Sequence, residues 1–392
     1  MQLPMVPPPS PAPRPDLSRL DFHRSPFLVI WETTRACDLA CVHCRAEAQS
    51  HRDCGELSTS EAEALMREIQ AMGRPLLVLT GGDPFKRPDL IHLVGYASRL
   101  GLRVGLTPSA TPLVTRDALA ELAREGLGQL ALSLDGATPE THDDFRGTPG
   151  SFQLTLRLLD EARELGLRTQ VNSTMTRRNL HEFDDLVPLL TRAGISLWSV
   201  FFLVPTGRAQ TTDLPSPEEF EELFRKMNRV ATSGAFDVKS TAAPHYRRLL
   251  LQEEKRTRRE HRRAGLPLPS RHRPVGFVRG GPTGRAQGVN EGRGMAFVDH
   301  RGDVYPSGFL PLVAGNVRET RLSTIYRESP LFSELRDPRK LKGKCGVCEF
   351  RTVCGGSRAR AYALTGDILA SDPSCAYVPA RWDPEAEAPA AG

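Results

Sequence analysis

The sequence lacks any apolar run of the roughly eighteen residues that a membrane-spanning helix needs. Residues 1–15 contain seven prolines and no hydrophobic stretch, which is unlike a secretory signal peptide, so we expect a cytoplasmic protein. Aromatic residues are scarce, at 6% of the chain, and the net charge is only +5, so the composition does not indicate a nucleic-acid-binding protein. With 39% hydrophobic residues the chain can bury a sizeable core, which excludes wholesale disorder.

No cysteine lies between Cys54 and Cys345, although the chain contains eight of them. Four precede this gap and four follow it. Cytosolic thiols rarely form structural disulfides, so this distribution favours metal binding or catalysis at two separate sites. The two groups are Cys37, Cys41, Cys44 and Cys54, and Cys345, Cys348, Cys354 and Cys375.

Apolar runs of strand length alternate with helical patterns from Phe27 to about residue 210, and this alternation predicts an α/β fold with a parallel sheet. Six such units fit either an open doubly wound sheet or a barrel that is three-quarters closed. The predicted strands are 27–31, 75–79, 102–107, 129–134, 168–174 and 196–204. The predicted helices are 59–72, 89–100, 116–125, 154–165 and 180–193.

The rest of the chain has a different pattern. A helix is predicted over 217–233, and residues 247–285 carry twelve Lys or Arg against three Glu. Residues 295–309 resemble a hairpin around an Asp-His-Arg-Gly-Asp turn. We therefore predict five regions: a disordered proline-rich lead (1–26), the six-unit domain (27–210), a helical and basic connection (211–294), a C-terminal module (295–378) and a disordered tail (379–392).

Cys37, Cys41 and Cys44 follow the first predicted strand in a C-x3-C-x2-C spacing. Loops at the C-terminal ends of parallel strands are where α/β folds place their chemistry. Three thiolates are one short of the four that close a zinc site or saturate an iron–sulfur cluster. His43 could complete a structural zinc site. Alternatively, the cysteines hold a four-iron cluster whose fourth iron is open to a small molecule.

This spacing, together with motifs that follow in order along the chain, resembles the radical S-adenosylmethionine (SAM) superfamily. LTGGDP at 79–84 resembles the GGEP motif of that family, with Asp83 where Glu is usual. The other motifs end successive predicted strands: TPSA (107–110), SLDG (133–136) followed by Arg146, VNST (171–174) and FLVPTGR (202–208). The resemblance covers roughly residues 27–210 and implies a partial (β/α)6 TIM-like barrel.

The resemblance implies that Cys37, Cys41 and Cys44 are catalytic and hold a 4Fe-4S cluster that binds SAM. Reductive cleavage of SAM would then yield a 5′-deoxyadenosyl radical that abstracts hydrogen from the substrate. Each motif alone also fits a structural role, such as a turn, a helix cap or a surface ion pair. The residues implied to bind SAM are Gly81, Gly82, Asp83, Pro84, Ser109, Ser133, Asp135, Arg146, Asn172 and Val204.

The C-terminal cysteines have the spacing C-x2-C-x5-C-x20-C, and four thiolates can close either a zinc site or a cluster. The segment and the hairpin before it resemble the SPASM/twitch extension of the same superfamily, which carries auxiliary clusters. Ser307 and Arg358 replace two cysteines of the full SPASM pattern. The resemblance therefore implies one auxiliary cluster, two 4Fe-4S clusters in all, and no cluster ligation by Ser307 or Arg358.

Two substrate classes follow from the resemblance. The run from Cys348 to Asp367 looks like that of heme-biosynthetic radical SAM enzymes, which act on propionate side chains, and the alternative is a peptide (RiPP) maturase. We expect a polycarboxylate such as an iron porphyrin, bound by His245, Tyr246, Arg247 or the stretch 279–285, and a reductant such as flavodoxin or ferredoxin.

A zinc-stabilised nucleic-acid-binding protein is the alternative from another class, with residues 247–285 as its basic footprint. That segment has almost no aromatic residue besides Phe277 on which a base could stack. We therefore expect neither a nucleic-acid nor a membrane partner.

Overall fold

A computed structural model describes residues 20–267, 277–278 and 287–383. Within these residues, seven parallel strands pair in chain order. This confirms the predicted α/β class with a parallel sheet. The strands are β1 (Leu28–Glu32), β2 (Leu76–Thr80), β3 (Arg103–Leu106), β4 (Gln129–Ser133), β5 (Thr169–Met175), β6 (Leu197–Phe202) and β7 (Asp237–Thr241).

Helices follow most of these strands and cover one face of the sheet, where they bury alternate strand residues such as Val29, Trp31 and Trp198 in one large core. In the described part of the chain, no helix has the length and hydrophobicity to cross a bilayer. The helices of this part are α1 (Thr59–Ala71), α2 (Leu90–Arg99), α3 (Arg116–Arg124), α4 (Pro139–Arg146), α5 (Ser151–Glu164), α6 (Phe183–Ala193), α7 (Pro217–Ser233) and α8 (Tyr246–Arg263).

Capping residues in the sequence account for several helix boundaries. Ser58 and Ser216 each form a capping box with the glutamate three residues later, which starts α1 and α7. Gly194 ends α6 in the left-handed conformation, as its position in the sequence predicted. Helix α4 was not predicted, because its eight residues are too few to establish a helical periodicity.

The sheet extends beyond the six predicted strands on both sides. β7 continues it past β6, and on the other side β10 (Met295–Val298) pairs parallel with β1. β11 (Asp303–Tyr305) and β12 (Gly315–Asn316) complete ten strands among the described residues, with a separate short pair formed by β8 (Phe277–Val278) and β9 (Gln287–Gly288). The predicted boundaries at 210 and 294 therefore divide one continuous sheet.

The two ends of this sheet approach each other. Phe309, just after β11, places its ring 6.4 Å from that of Phe201 in β6. Val204, just after β6, packs with Leu310 and Ala359. The sheet therefore curves into a partial barrel, with one face of its strands directed inwards.

The C-terminal region packs on the open side of the barrel through Arg360, whose guanidinium donates to the carbonyls of Leu203 and Ala242. Its helices are α9 (Leu322–Glu328), α10 (Pro330–Arg336), α11 (Gly343–Val347) and α12 (Arg358–Thr365).

The predicted disordered lead is corrected at its end. Phe22 is buried, and its carbonyl accepts a hydrogen bond from the Tyr326 hydroxyl at 2.7 Å, so an anchored segment precedes β1. Residues 1–19 and 384–392, which make up most of the predicted lead and tail, lie outside the described residues, as does the whole of the predicted substrate-binding stretch 279–285.

Candidate active site

The loop after β1 carries Cys37, Cys41 and Cys44, whose thiols are free. Each sulfur has a hydrogen-bond donor. The Leu39 amide donates to Cys37 Sγ at 3.3 Å and the Ala48 amide to Cys44 Sγ at 3.4 Å. Arg146 Nη1 lies 3.7 Å from Cys41 Sγ. Burial raises the pKa of Cys37, and its hydrogen bonds with Ser109 and Leu39 oppose that shift. The three sulfurs with their donors suit a metal centre. Cys54, by contrast, is exposed.

The Gly-Gly-Asp-Pro motif is bound to this loop by its backbone. The Gly82 amide donates to the Thr34 carbonyl at 2.8 Å, and the Asp83 amide donates to the Ala36 carbonyl at 2.7 Å. A Cβ atom on Gly82 would lie 2.5 Å from the Ala36 oxygen, and one on Gly81 would lie 2.5 Å from the Thr34 oxygen. Both glycines are therefore needed for this close approach of two chain segments.

Ser109, after β3, connects the motif with a cysteine. Its hydroxyl donates to the Gly82 carbonyl at 2.9 Å and lies 3.3 Å from Cys37 Sγ. The predicted site residues Gly81, Gly82 and Ser109 therefore meet beside Cys37.

Asp83 has a different environment from the one its motif implied. Its carboxylate is fully buried and accepts from the Phe85 amide (3.1 Å) and the Thr111 hydroxyl (2.8 Å). Burial raises the pKa of Asp83, and these hydrogen bonds oppose the shift. The side chain therefore holds the turn at Pro84–Lys86 in place, and the motif presents its backbone to the interior.

Arg146 joins the fourth strand to the cysteine loop. It forms an ion pair with Asp135, which is fully buried and also accepts from the Thr174 amide at 2.6 Å. The alternative interpretation of Arg146 as a surface ion pair is wrong, because the pair is buried and the guanidinium also reaches Cys41.

Ser133 and Asn172 are register partners in β4 and β5, away from the contacts that join Gly82, Ser109 and Arg146 to the cysteine loop. The Asn172 carboxamide oxygen accepts from Gln170 Nε2 at 2.6 Å. The Val204 side chain is buried against the C-terminal region, and its carbonyl accepts from the Thr206 amide at 2.8 Å.

The C-terminal cysteines Cys345, Cys348, Cys354 and Cys375 line one cavity of about 400 Å³, part of which is open to solvent. Here too each sulfur has a donor. Backbone amides donate to three of them: Phe350 to Cys348 and Gly356 to Cys354, both at 3.4 Å, and Tyr377 to Cys375. Arg358 Nη2 lies 3.7 Å from Cys345 Sγ. The four sulfurs thus surround a common space.

Charge around this cavity favours an anionic group. Arg248 and Lys344 line it, while Arg247 approaches from behind and donates to the Val353 and Val289 carbonyls. Those bonds occupy Arg247, which we had expected to bind substrate. Burial raises the pKa of Cys354 well above its usual value, and the neighbouring thiols raise it further. A bound metal centre would reverse this shift by stabilising the thiolates.

Among the residues that the structure describes, no three His, Cys, Asp or Glu side chains are placed to hold one metal ion. His43, the candidate fourth zinc ligand, stacks on Phe145 with 4.2 Å between ring centroids. A four-iron cluster is wider than one ion and is held by more widely separated sulfurs.

Comparisons with known proteins agree with this geometry. Residues 31–190 match the model of the Radical SAM superfamily. The chain is 39% identical to the AdoMet-dependent heme synthase of Methanosarcina barkeri, covering 91% of this chain and 98% of that protein. It is 40% identical to the protein of the same name from Oleidesulfovibrio alaskensis, covering 90% and 88%. The chain belongs to the radical SAM superfamily.

Solved structures of low sequence identity share the fold of this radical SAM protein. Streptococcus suis SuiB bound to S-adenosylmethionine gives a TM-score of 0.68 at 16% identity, covering 90% of this chain and 78% of that one. The structure of anSMEcpe with AdoMet and the Cp18Cys peptide gives 0.61 at 15% identity, covering 89% and 93%. Membership of the superfamily makes the chain an enzyme that uses SAM and a 4Fe-4S cluster. It therefore favours the radical SAM interpretation over the zinc-stabilised nucleic-acid-binding alternative.

Sequence reasoning about this radical SAM enzyme did not single out Arg208, and it considered His43 only as a zinc ligand. Nδ1 of the half-buried His43 is buried without a partner, and burial, together with Arg146 and Arg208, lowers the pKa of His43 well below its usual value. Arg208 donates its amide to the Cys44 carbonyl, and its guanidinium Nε and Nη2 are buried without a partner. Burying a polar group without a hydrogen-bond partner lowers the stability of the fold, so these groups indicate a position where a bound ligand would supply the partner. In the sequence, only the position of Arg208 at the end of the FLVPTGR motif could have indicated that it belongs to the site.

Proposed function

We propose that this radical SAM enzyme removes CO2 from propionate side chains of an iron porphyrin in heme biosynthesis. The observation that carries the proposal is the 39% identity to a heme synthase, which extends over 91% of this chain and 98% of that protein. A further relative, the Fe-coproporphyrin III synthase of Methanosarcina barkeri, is 29% identical over 89% of the chain. An iron coproporphyrin is therefore the substrate that we propose.

We infer that Cys37, Cys41 and Cys44 hold the catalytic 4Fe-4S cluster and that SAM lies beside Gly81, Gly82 and Ser109. The bound cluster and SAM together supply a 5′-deoxyadenosyl radical. The chain contributes amide and guanidinium donors to the sulfurs. It also contributes the backbone of Gly81 and Gly82 and the buried, unpartnered donors of Arg208. Its part is to position the cofactor and to keep water away.

The proposed reaction requires a one-electron acceptor. A propionate side chain that loses one hydrogen atom, one electron and CO2 becomes a vinyl group. The radical takes the hydrogen atom, so the electron needs another destination. We propose that one auxiliary 4Fe-4S cluster, held by Cys345, Cys348, Cys354 and Cys375, is this acceptor. The shared cavity and the donor at each sulfur support a cluster there.

Ser307 and Arg358, which replace two SPASM cysteines, are not ligands in this proposal. The Ser307 hydroxyl accepts from the Phe309 amide at 3.2 Å, and Arg358 is a hydrogen-bond donor to Cys345. We further propose that a flavodoxin or ferredoxin reduces the enzyme and that it acts in the cytoplasm.

The interior of the partial barrel offers flat apolar surfaces. Phe201 and Phe309 form one edge-to-face pair, and Phe297 and Tyr305 form another with 6.1 Å between centroids. The Arg45 guanidinium lies 4.7 Å from the centroid of the Phe297 ring. Aromatic rings suit a planar macrocycle because they can bury its faces. Arg45 itself is already paired with Glu32, whose carboxylate accepts from Arg45 Nη2 at 2.6 Å.

The test is anaerobic reconstitution with iron and sulfide, followed by incubation with dithionite, SAM and iron coproporphyrin III. We expect one 5′-deoxyadenosine and one CO2 for each vinyl group formed, measured by chromatography and mass spectrometry. Formation of 5′-deoxyadenosine with an unchanged porphyrin would overturn the proposed substrate. The Cys37→Ala, Cys41→Ala, Cys44→Ala triple variant is the control and should form no product.

A peptide substrate is the second candidate. The mycofactocin maturase MftC of Mycobacterium tuberculosis is 30% identical over 90% of the chain. The lower identity makes this the weaker candidate. If the porphyrin is unchanged in the assay above, incubation with candidate precursor peptides and detection of their mass change is the next measurement.

A further inference from the structure

Lys239 lies in β7, on the face of the sheet that is directed into the barrel. Its neighbour Val238 pairs in register with Trp198, and both belong to the core under the helices. Because successive residues of a strand face opposite sides, Lys239 and its register partner Ser199 face inwards. Ser199 in turn pairs with Asn172, so these polar residues form one row across the inner face.

The ammonium group of Lys239 has no hydrogen bond or ion pair with any described residue, although other lysines of the chain do. Lys86 is paired with Asp38, and Lys226 with Asp184. Burial alone lowers the pKa of Lys239 to about 8. Lys239 is partly buried, and a cation without a protein partner in such a place is a candidate for binding a ligand.

The neighbours of Lys239 are already satisfied by one another. The Ser199 hydroxyl lies 2.9 Å from the Thr241 hydroxyl, and Asn172 accepts from Gln170. The two adjoining inner positions, Ser199 and Thr241, carry hydroxyls, while Asp237, two residues before Lys239 on the same face, carries a carboxylate. On its Thr241 side, Lys239 therefore presents a cation to the barrel interior, where a carboxylate of a ligand can bind it.

The aromatic pair lies one layer nearer the open end of the barrel. Phe201 is the register partner of Thr241, two residues beyond Lys239 on the same face. Two residues of a strand span roughly 6.6 Å. A flat ring lying against Phe201 and Phe309 can therefore direct a flexible carboxylate side chain down towards Lys239.

We propose that Lys239 binds one carboxylate of the substrate and thereby sets the orientation of the macrocycle in the barrel. This inference rests on the proposed function, because it takes a carboxylate-bearing porphyrin as the substrate. The carboxylate bound by Lys239 is an anchor, and a different side chain of the same substrate faces the radical.

The experiment is a titration of the reconstituted enzyme with iron coproporphyrin III, followed through the porphyrin absorbance band near neutral pH. Lys239→Met removes the charge and keeps the length of the side chain, while Lys239→Arg keeps the charge. Lys255→Met is the matched control, because Lys255 is exposed on α8. Iron content and the SAM dissociation constant report whether each variant is folded and contains its iron–sulfur clusters.

We expect Lys239→Met to weaken porphyrin binding at least tenfold, Lys239→Arg to weaken it less, and Lys255→Met to leave it unchanged. Equal porphyrin affinity of Lys239→Met and the unmodified enzyme would overturn the role of Lys239. A loss of SAM binding in Lys239→Met, with porphyrin binding retained, would also overturn it. If the unmodified enzyme does not bind the porphyrin at tens of micromolar, the proposed function itself fails.

Discussion

Arg358 Nη2 lies 3.7 Å from Cys345 Sγ, at a position where the full SPASM pattern has a cysteine. The guanidinium is buried, and its Nη1 donates to the Ile368 and Ala370 carbonyls at 3.0 and 2.7 Å. These bonds fix its orientation towards the sulfur. The residue that the SPASM resemblance marked as a missing cysteine thus donates to a sulfur of the proposed auxiliary site.

We predict that Arg358→Gln lowers the reduction potential of the auxiliary cluster by about 60 mV, equivalent to a tenfold change in a one-electron equilibrium. The reason is that a cationic donor to a thiolate stabilises the reduced, more negative cluster. Electron paramagnetic resonance during a redox titration measures the shift. Arg339→Gln, at an exposed arginine paired with Asp337, is the control. An unchanged potential in Arg358→Gln would show that the contact does not tune the cluster.

Iron content should separate the two cysteine groups. We predict about eight irons per reconstituted chain, from two four-iron clusters, and about half of that in the triple alanine variant of Cys37, Cys41 and Cys44. The variant should form no 5′-deoxyadenosine. One tightly held zinc per chain with about four irons would contradict the auxiliary cluster.

Gly82→Ala should prevent assembly of the catalytic cluster, because the new Cβ would lie 2.5 Å from the Ala36 oxygen and displace the cysteine loop. We expect loss of about half the iron and of SAM cleavage. Gly105→Ala is a matched control, since a Cβ there would be 3.5 Å from its nearest neighbour, an ordinary contact. Full iron content in Gly82→Ala would mean that the loop tolerates the displacement.

Porphyrin affinity should fall as the pH rises through about 8. Burial lowers the pKa of Lys239 to about 8 in the free enzyme, so the ammonium is present below that pH and lost above it. A bound carboxylate favours the ammonium, so binding is strongest on the acid side of this pH. The adjoining groups on the inner face are the hydroxyls of Ser199 and Thr241 and, two residues before Lys239, the carboxylate of Asp237. Titrations at pH 7 and 9 measure the effect, and Lys239→Met should show none of it.

Arg360 should be required for stability. It is fully buried, forms an ion pair with Asp372 at 3.1 Å, and donates to carbonyls at the ends of β6 and β7. Arg360→Met would leave Asp372 as a buried charge without this partner, which costs about 3–5 kcal/mol. Thermal unfolding should show a large fall in Tm, whereas Arg339→Met at the exposed pair should change Tm little.

Local patterns in the sequence determined the parallel α/β class, the order of the first six strands and the positions of both cysteine groups. Alternation, glycine stops and cysteine spacing depend on neighbouring residues, so they can be read without knowing the fold. The pairing of β10 with β1 could not be read in this way, because hydrogen bonds between segments about 270 residues apart leave no local signal.

Tertiary structure alone decided what several polar residues do. Asp83 became a buried turn residue because Phe85 and Thr111 occupy both of its oxygens. Arg358 was identified in the sequence only as a missing cysteine, and packing turned it towards Cys345. Lys239 is one basic residue in a short polar strand, and only the register with β6 places it on the inner face of the barrel, where we propose that it binds a carboxylate.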